Sequence, residues 1–331
     1  MSPQLAVLGS GSWGTALAMA LAPRFDSVHL WCRDSAHAAE MGELRENSRY
    51  LPGLRLPSNV DVSADLAQAL SAASIVLTAI PSAHLRKVVL SARPYISTGA
   101  YLVSASKGLE EGTLFRMSQL IADALSASVP LAVLSGPTFA KEIAAAEPAA
   151  VVIASGDLAV AEEIQRAFST SSLRLYASTD VVGVELGAAL KNVIAIGAGI
   201  CRGLGLGSNS VAALITRGLA EITRLALAMG AQPRTLAGLA GLGDLVLTAT
   251  GDLSRNRFVG IQLGQGRSLE QILAGMTMVA EGVSTCRAAF QLGRNTNVDL
   301  PIINKMYEVL YESKDPRQAI RDLMDRPLTS E

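Results

Sequence analysis

Along the first 180 residues the chain alternates between short apolar runs and stretches in which apolar residues recur at helical spacing. The runs at 5–8, 28–32, 60–62, 74–80, 101–106, 131–135, 149–154 and 173–176 are short and bounded by Gly, Pro or polar residues, so they predict strands. Helical spacing fills the intervals at 15–21, 64–70, 85–90 and 158–168. This alternation predicts an α/β fold: a Rossmann-like, doubly wound parallel sheet of about eight strands, with ligands at the carboxyl ends of its strands. After Asp180 the strand signal fades. An apolar helix begins near Val181 and breaks at the glycines of 203–207, Ser208 and Asn209 are set to cap the next, and helical spacing continues to the C-terminus. The expected division is a sheet domain over 1–182 and an all-helical domain over 183–331.

The first run leads directly into Gly9-Ser10-Gly11-Ser12-Trp13-Gly14, and a helical pattern follows. Gly9 permits a tight turn, Gly11 lets the backbone approach a pyrophosphate, and Gly14 allows close helix–strand packing. The helix N-terminus offers N–H groups and a favourable dipole to the phosphates. The sheet domain is therefore read as dinucleotide-binding. The second strand ends at Arg33-Asp34. An acidic residue there suits the ribose 2′-hydroxyl of NAD and an arginine the 2′-phosphate of NADP, so the pair points to NADP with NAD tolerated. Lys107, beside Gly108 just past a strand, can reach a bound cofactor, whereas His84 reads as a solvated loop residue. Thr138, after Gly136-Pro137, is placed to cap the helix that follows.

In the second half, Lys191 lies beside the stripe Leu186, Leu190, Val193 and Ile194, with Gly187 and Ala188 one turn back. Small residues there predict open space over the amine, and a lysine in apolar surroundings loses hydration, which lowers its pKa toward the range of proton transfer. A lysine snorkelling at the helix edge is the alternative. Asp244 and Thr248, four apart, share one face of a helical turn. Ser254-Arg255-Asn256 combines a hydroxyl, a fork of N–H donors and an amide, a set suited to a phosphate, with a polar surface loop as the alternative. Val279-Ala280-Glu281-Gly282 forms another polar break between helices.

Composition narrows the field. Half the residues are hydrophobic and 17% are charged, as in a well-packed protein, and a net charge of −1 excludes a sequence-wide attraction to nucleic acid or anionic membrane. No uniformly apolar, uncharged stretch of about 18 residues is present, so no membrane span is expected. The three cysteines are scattered, which suits a reducing cytoplasm and argues against a structural metal. A homodimer is open on this evidence.

In content and order, several blocks resemble the bacterial NAD(P)-dependent glycerol-3-phosphate dehydrogenases. They are Gly9-Ser10-Gly11-Ser12-Trp13-Gly14-Thr15-Ala16, Ser106-Lys107-Gly108-Leu109-Glu110, Gly136-Pro137-Thr138-Phe139-Ala140, Glu185-Leu186-Gly187-Ala188-Ala189-Leu190-Lys191-Asn192, Ala240-Gly241-Leu242-Gly243-Asp244-Leu245, Ser254-Arg255-Asn256 and Glu281-Gly282. Thr138 stands where a serine is common and keeps the hydroxyl. The resemblance implies NAD(P)H-dependent reduction of dihydroxyacetone phosphate to sn-glycerol 3-phosphate, and the reverse, for phospholipid synthesis. It implies Lys191 as the proton-transfer residue, with Lys107, Asp244 and Thr248 around the reacting carbon. Ser254, Arg255 and Asn256 would hold the substrate phosphate, with Gly136 and Thr138 across the cleft. Gly9, Gly11, Ser12, Trp13, Gly14, Arg33, Lys107, Ala140, Arg255, Val279 and Glu281 would line the cofactor, NADPH with NADH accepted. A hydroxy-acid dehydrogenase and a cofactor sensor without catalysis are the competing readings. The Ser254-Arg255-Asn256 set disfavours the first, and the intact Lys107, Lys191 and Asp244 set disfavours the second.

Overall fold

A computed structural model describes residues 4–126, 129–276 and 278–328. Among the described residues ten strands are present: β1 (Gln4–Leu8), β2 (Ser27–Trp31), β3 (Glu46–Asn47), β4 (Leu51–Arg55), β5 (Val60–Ser63), β6 (Ile75–Thr78), β7 (Tyr101–Ser104), β8 (Leu131–Ser135), β9 (Ala149–Ala154) and β10 (Leu173–Ser178). Eight of them form one sheet in the order β10-β9-β8-β7-β6-β1-β2-β5, and β3 and β4 form a separate hairpin. Burial on both faces explains the continuous apolar runs of the central strands. Leu5 and Val7 of β1 enter the core on one face with Leu17, Leu30 and Phe168, whereas Ala6 and Leu8 enter the core on the other with Leu85, Leu102 and Leu120. The edge strand β10 alternates instead, with Leu173 and Leu175 buried and Arg174 and Tyr176 exposed.

One pairing departs from the parallel expectation: β8 and β9 run antiparallel. The segment joining them carries only the short helix Ala140–Ala144, and antiparallel pairing needs no full crossover helix to return the chain to the same end. The remaining pairings in this sheet are parallel.

The chain divides into two compact units, one of Met1–Lys107 with Phe115–Glu185, the other of Gly108–Leu114 with Leu186–Glu331. The second unit is helical. The helix Val181–Gly203 begins where Asp180 accepts a hydrogen bond from Gly183 N at 2.8 Å. The next helix, Ser208–Ala228, starts at Ser208 itself and has no side-chain cap, so Ser208 and Asn209 do not play the capping part expected of them. Val181–Gly203 is also long and apolar enough to cross a membrane, which the sequence reading did not expect, but 89% of its most apolar window is buried within the fold. That is the pattern of a core helix.

Candidate active site

At the end of β1 the chain turns through Gly9, whose φ of +116° is a conformation that favours glycine. A Cβ on Gly9 would lie 2.6 Å from the Ala79 carbonyl oxygen, and one on Gly14 would lie 1.8 Å from the Gly9 carbonyl oxygen. Beyond its immediate chain neighbours, no atom lies within 4 Å of where a Cβ on Gly11 would stand. Two glycines therefore close the turn, and the third keeps an open face before the N-terminus of the helix Ser12–Leu21, which has no side-chain cap. A pyrophosphate fits that arrangement. Trp13, in the first turn, donates from Nε1 to the Ala105 carbonyl at 3.1 Å and ties the loop to the end of β7.

Arg33 lies exposed just past β2. The neighbouring Asp34 is taken up locally: its carboxylate caps the helix Ser35–Leu44, accepting from Ala36 N at 3.0 Å and His37 N at 3.1 Å. The His37 backbone bond, with smaller help from Ala36 and the charges of His37 and Arg49, holds its carboxyl below the usual range despite opposing desolvation.

At the strand ends, the Gly136 carbonyl receives both Lys107 Nζ, at 3.3 Å, and Thr138 Oγ1, at 3.1 Å. Gly136 packs against β9 so tightly that a Cβ would lie 2.9 Å from Val151 Cα. Thr138 is thus turned back on Gly136. It does not cap the helix Ala140–Ala144, which starts after Phe139 with no side-chain cap. His84 is in the first turn of the helix Ser82–Ala92 and not in a loop.

In the helical unit, Lys191 is buried and donates to the Asp244 carboxylate and, at 2.8 Å, to Thr248 Oγ1. Thr248 Oγ1 in turn donates to the Asp244 backbone carbonyl at 2.7 Å. The i,i+4 spacing on the helix Asp244–Thr250 puts both partners on one side, as expected. The open space expected from Gly187 is absent. A Cβ there would lie 2.6 Å from the Ala240 carbonyl oxygen, because a wide turn over Leu239–Gly243 presses on the lysine helix at that point. Gly187 therefore admits the backbone that seats Asp244 beside the ammonium.

Asn192 and Asn256 form the next layer. Asn256 Nδ2 donates to Asn192 Oδ1 at 2.9 Å, and its Oδ1 accepts Gly282 N at 2.9 Å. Three helices thus meet at one amide that the sequence reading treated only as a phosphate ligand. Ser254 caps the helix Arg255–Gly264 by accepting from Arg257 N at 3.2 Å, which leaves its O–H hydrogen to donate elsewhere. Burial pulls the Arg255 guanidinium below its ordinary pKa and the charge of Glu281, at the start of the helix Glu281–Thr296, opposes this; an arginine in such a place stays cationic. Val279, just before that helix, is exposed. The helices bearing Lys191 and Arg255 touch backbone to backbone: a Cβ on Gly199 would lie 2.1 Å from the Arg257 carbonyl oxygen, and one on Gly260 would lie 1.9 Å from that of Ile196.

Glu185, one of the motif residues, is buried and accepts from Ser118 N and Ser118 Oγ, both at 2.7 Å, and from Arg116. Burial pushes its carboxyl up, against the Arg116 charge and the Ser118 bonds. It anchors the first turns of the lysine helix, a role its sequence position does not disclose. Among the described residues no group of three or more His, Cys, Asp or Glu side chains is placed to hold a metal ion.

Two family models cover most of the chain. The NAD-dependent glycerol-3-phosphate dehydrogenase N-terminus matches residues 4–161, and the C-terminus of the same family matches 180–321. A glycerol-3-phosphate dehydrogenase (NAD(P)+) of Geobacter sp. (strain M21) is 53% identical over 100% of this chain and 99% of the relative. One from Nitratidesulfovibrio vulgaris (strain ATCC 29579 and its synonyms) is 50% identical over 99% of this chain and 100% of the relative. The crystal structure of glycerol-3-phosphate dehydrogenase from Coxiella burnetii superposes with a TM-score of 0.94 at 38% identity, over 98% of this chain and 99% of that one.

Proposed function

This chain belongs to the NAD-dependent glycerol-3-phosphate dehydrogenase family, and from that premise we propose how its residues reduce dihydroxyacetone phosphate to sn-glycerol 3-phosphate and carry out the reverse. The reaction is the NAD(P)H-dependent one of the family, and its product feeds glycerophospholipid synthesis. The observation that carries the assignment is the buried Lys191 ammonium held by the Asp244 carboxylate and the Thr248 hydroxyl.

The cofactor, when bound, supplies or accepts a hydride. The open face at Gly11 and the N-terminus of the helix Ser12–Leu21 hold its pyrophosphate, with Ser12, Trp13 and Ala140 alongside. Arg33 reads the 2′-phosphate. Support for a preference for NADPH over NADH comes from Asp34, whose carboxylate is taken up by the Ala36 and His37 backbone and competes little with Arg33.

In the helical unit Arg255 binds the substrate phosphate as a fork of donors, helped by the Ser254 hydroxyl and the second amide hydrogen of Asn256. Lys191 points an N–H at the ketone oxygen. As the carbonyl carbon gains the hydride, negative charge grows on that oxygen, and the ammonium transfers a proton to it. Asp244 holds the lysine aimed beforehand, and Thr248 fixes the rotamer. In the oxidative direction the neutral amine accepts the hydroxyl proton. The family resemblance adds Lys107, whose Nζ donates to the Gly136 carbonyl.

The cytoplasm is the compartment this reading favours, supported by three buried, unpaired thiols, Cys32, Cys201 and Cys286. The test of the substrate is direct. NADPH oxidation appears with dihydroxyacetone phosphate and is absent with unphosphorylated dihydroxyacetone. Equal rates with both would sink the phosphate assignment.

A further inference from the structure

The hairpin β3–β4 carries no recognised motif, yet one of its side chains grips the glycine loop. Asn47 is fully buried and uses both amide hydrogens and both oxygen lone pairs. Its Nδ2 donates to the Ser10 carbonyl and to Thr15 Oγ1, each at 2.8 Å. Its Oδ1 accepts Tyr50 N at 3.2 Å and lies 3.2 Å from His37 Nε2, which donates to it. The root of the hairpin is thus fixed to the phosphate loop on one side and to the helix that follows Arg33 and Asp34 on the other.

Asn47 pairs with Leu51, so the turn consists of Ser48, Arg49 and Tyr50. The Tyr50 ring stands edge-on to the His37 ring, centroids 5.6 Å apart and planes at 86°. The Arg49 guanidinium sits over the Tyr50 ring, 5.2 Å from its centroid. The side chain is exposed, and the stacking pre-orders it, which lowers the entropic cost of engaging a ligand. Its charge reaches the Asp34 carboxylate.

Charge balance gives the arrangement a purpose. A 2′-phosphate brings close to two negative charges against the single positive charge of Arg33. A second cation is needed on the same side. We propose that Arg49 is a second 2′-phosphate ligand of NADP(H), set beside Arg33 by the Asn47–His37–Tyr50 cluster. The proposal rests on the reading of Arg33 given above.

The experiment titrates the full-length protein, Arg49→Gln, Arg49→Lys and Arg33→Gln with NADPH, NADH, 2′,5′-ADP and 5′-AMP. Arg49→Gln is expected to weaken NADPH and 2′,5′-ADP by about tenfold, the size of one charge-assisted hydrogen bond at an exposed site. NADH and 5′-AMP weaken by less than about twofold, since they lack the group concerned. Arg49→Lys restores part of the loss, which a purely structural role of the turn would not produce. Equal weakening of phosphorylated and unphosphorylated ligands by Arg49→Gln, or no weakening of either, overturns the proposal while leaving Arg33 in place. A wild-type protein that binds 2′,5′-ADP no better than 5′-AMP overturns the Arg33 reading and this one with it.

Discussion

Lys191 Nζ lies 2.8 Å from Thr248 Oγ1, and the same hydroxyl donates to the backbone carbonyl of Asp244, one turn earlier on its own helix. The hydroxyl hydrogen is therefore directed away from the lysine, and Thr248 presents a lone pair to the ammonium. In the proposed mechanism this makes the threonine an aiming device for the proton donor.

Replacement of Lys191 by Ala is expected to lower kcat by about three orders of magnitude, within the range for loss of a general acid. Thr248→Val, which keeps the shape and removes the acceptor, is expected to cost about tenfold, on the order of one hydrogen bond. Steady-state kinetics with NADPH and dihydroxyacetone phosphate, alongside a direct NADPH titration, separate these effects from cofactor loss. Unchanged turnover in Lys191→Ala would refute the role given to it.

Gly187→Ala tests whether close backbone approach, and not open space, is what this position supplies. The added methyl would stand 2.6 Å from the Ala240 carbonyl oxygen, so the turn before Asp244 must retreat. Overpacking of this kind costs about 1–3 kcal/mol. A lower melting temperature should accompany a fall in kcat with NADPH affinity retained. A variant as stable and active as the parent would show that the contact is dispensable.

Arg255→Ala removes the proposed phosphate anchor. The expected loss is about 3 kcal/mol in kcat/KM for dihydroxyacetone phosphate, roughly a hundredfold or more, the usual size for truncating one partner of a buried charge pair. The much slower reaction with dihydroxyacetone should barely change. If both substrates suffer alike, Arg255 supports the fold and not the phosphate.

Glu221 provides a pH dependence. It is buried and accepts the N–H groups of Ile302 at 2.7 Å and Ile303 at 3.1 Å, at the start of the helix Pro301–Tyr311. Burial pushes its carboxyl from 4.5 up to about 7, outweighing the two backbone bonds and the charge of Arg224, with Asp299 adding to the rise. The native state then holds a proton that the unfolded chain releases. The stability contributed by that proton is complete below pH 4.5 and is lost as pH rises to about 7, by roughly 3 kcal/mol in all. Melting temperatures measured across that window should show the slope, and Glu221→Gln should flatten it. An identical slope in the variant would assign it to other groups.

Much of the candidate site's geometry was legible because it is written locally. The glycine loop, the lysine beside its apolar stripe, the Asp244–Thr248 spacing and the Ser254-Arg255-Asn256 triplet each lie within a turn or two of chain. What escaped depends on partners far away in sequence. Gly187 looked like space because nothing local says that Ala240 comes to rest on it. Asn256 looked like a ligand alone because its bonds to Asn192 and Gly282 span 64 and 26 residues. The reversed pairing of β8 and β9 also lies beyond periodicity, which reports the faces of a strand and not its direction. Thr138 and Ser208 were assigned caps from residue type, and in both places the backbone begins its helix elsewhere.

The contact between Gly199 and Gly260 has a bearing on substrate length. Two helices locked backbone to backbone cannot slide without collision, so the spacing between the amine on one and the guanidinium on the other is a fixed gauge. On the roles proposed for Lys191 and Arg255, a phosphorylated ketone whose carbonyl lies one carbon farther from its phosphate would satisfy one end of that gauge or the other, and tolerance for such substrates would trace to two missing methyl groups remote from the chemistry.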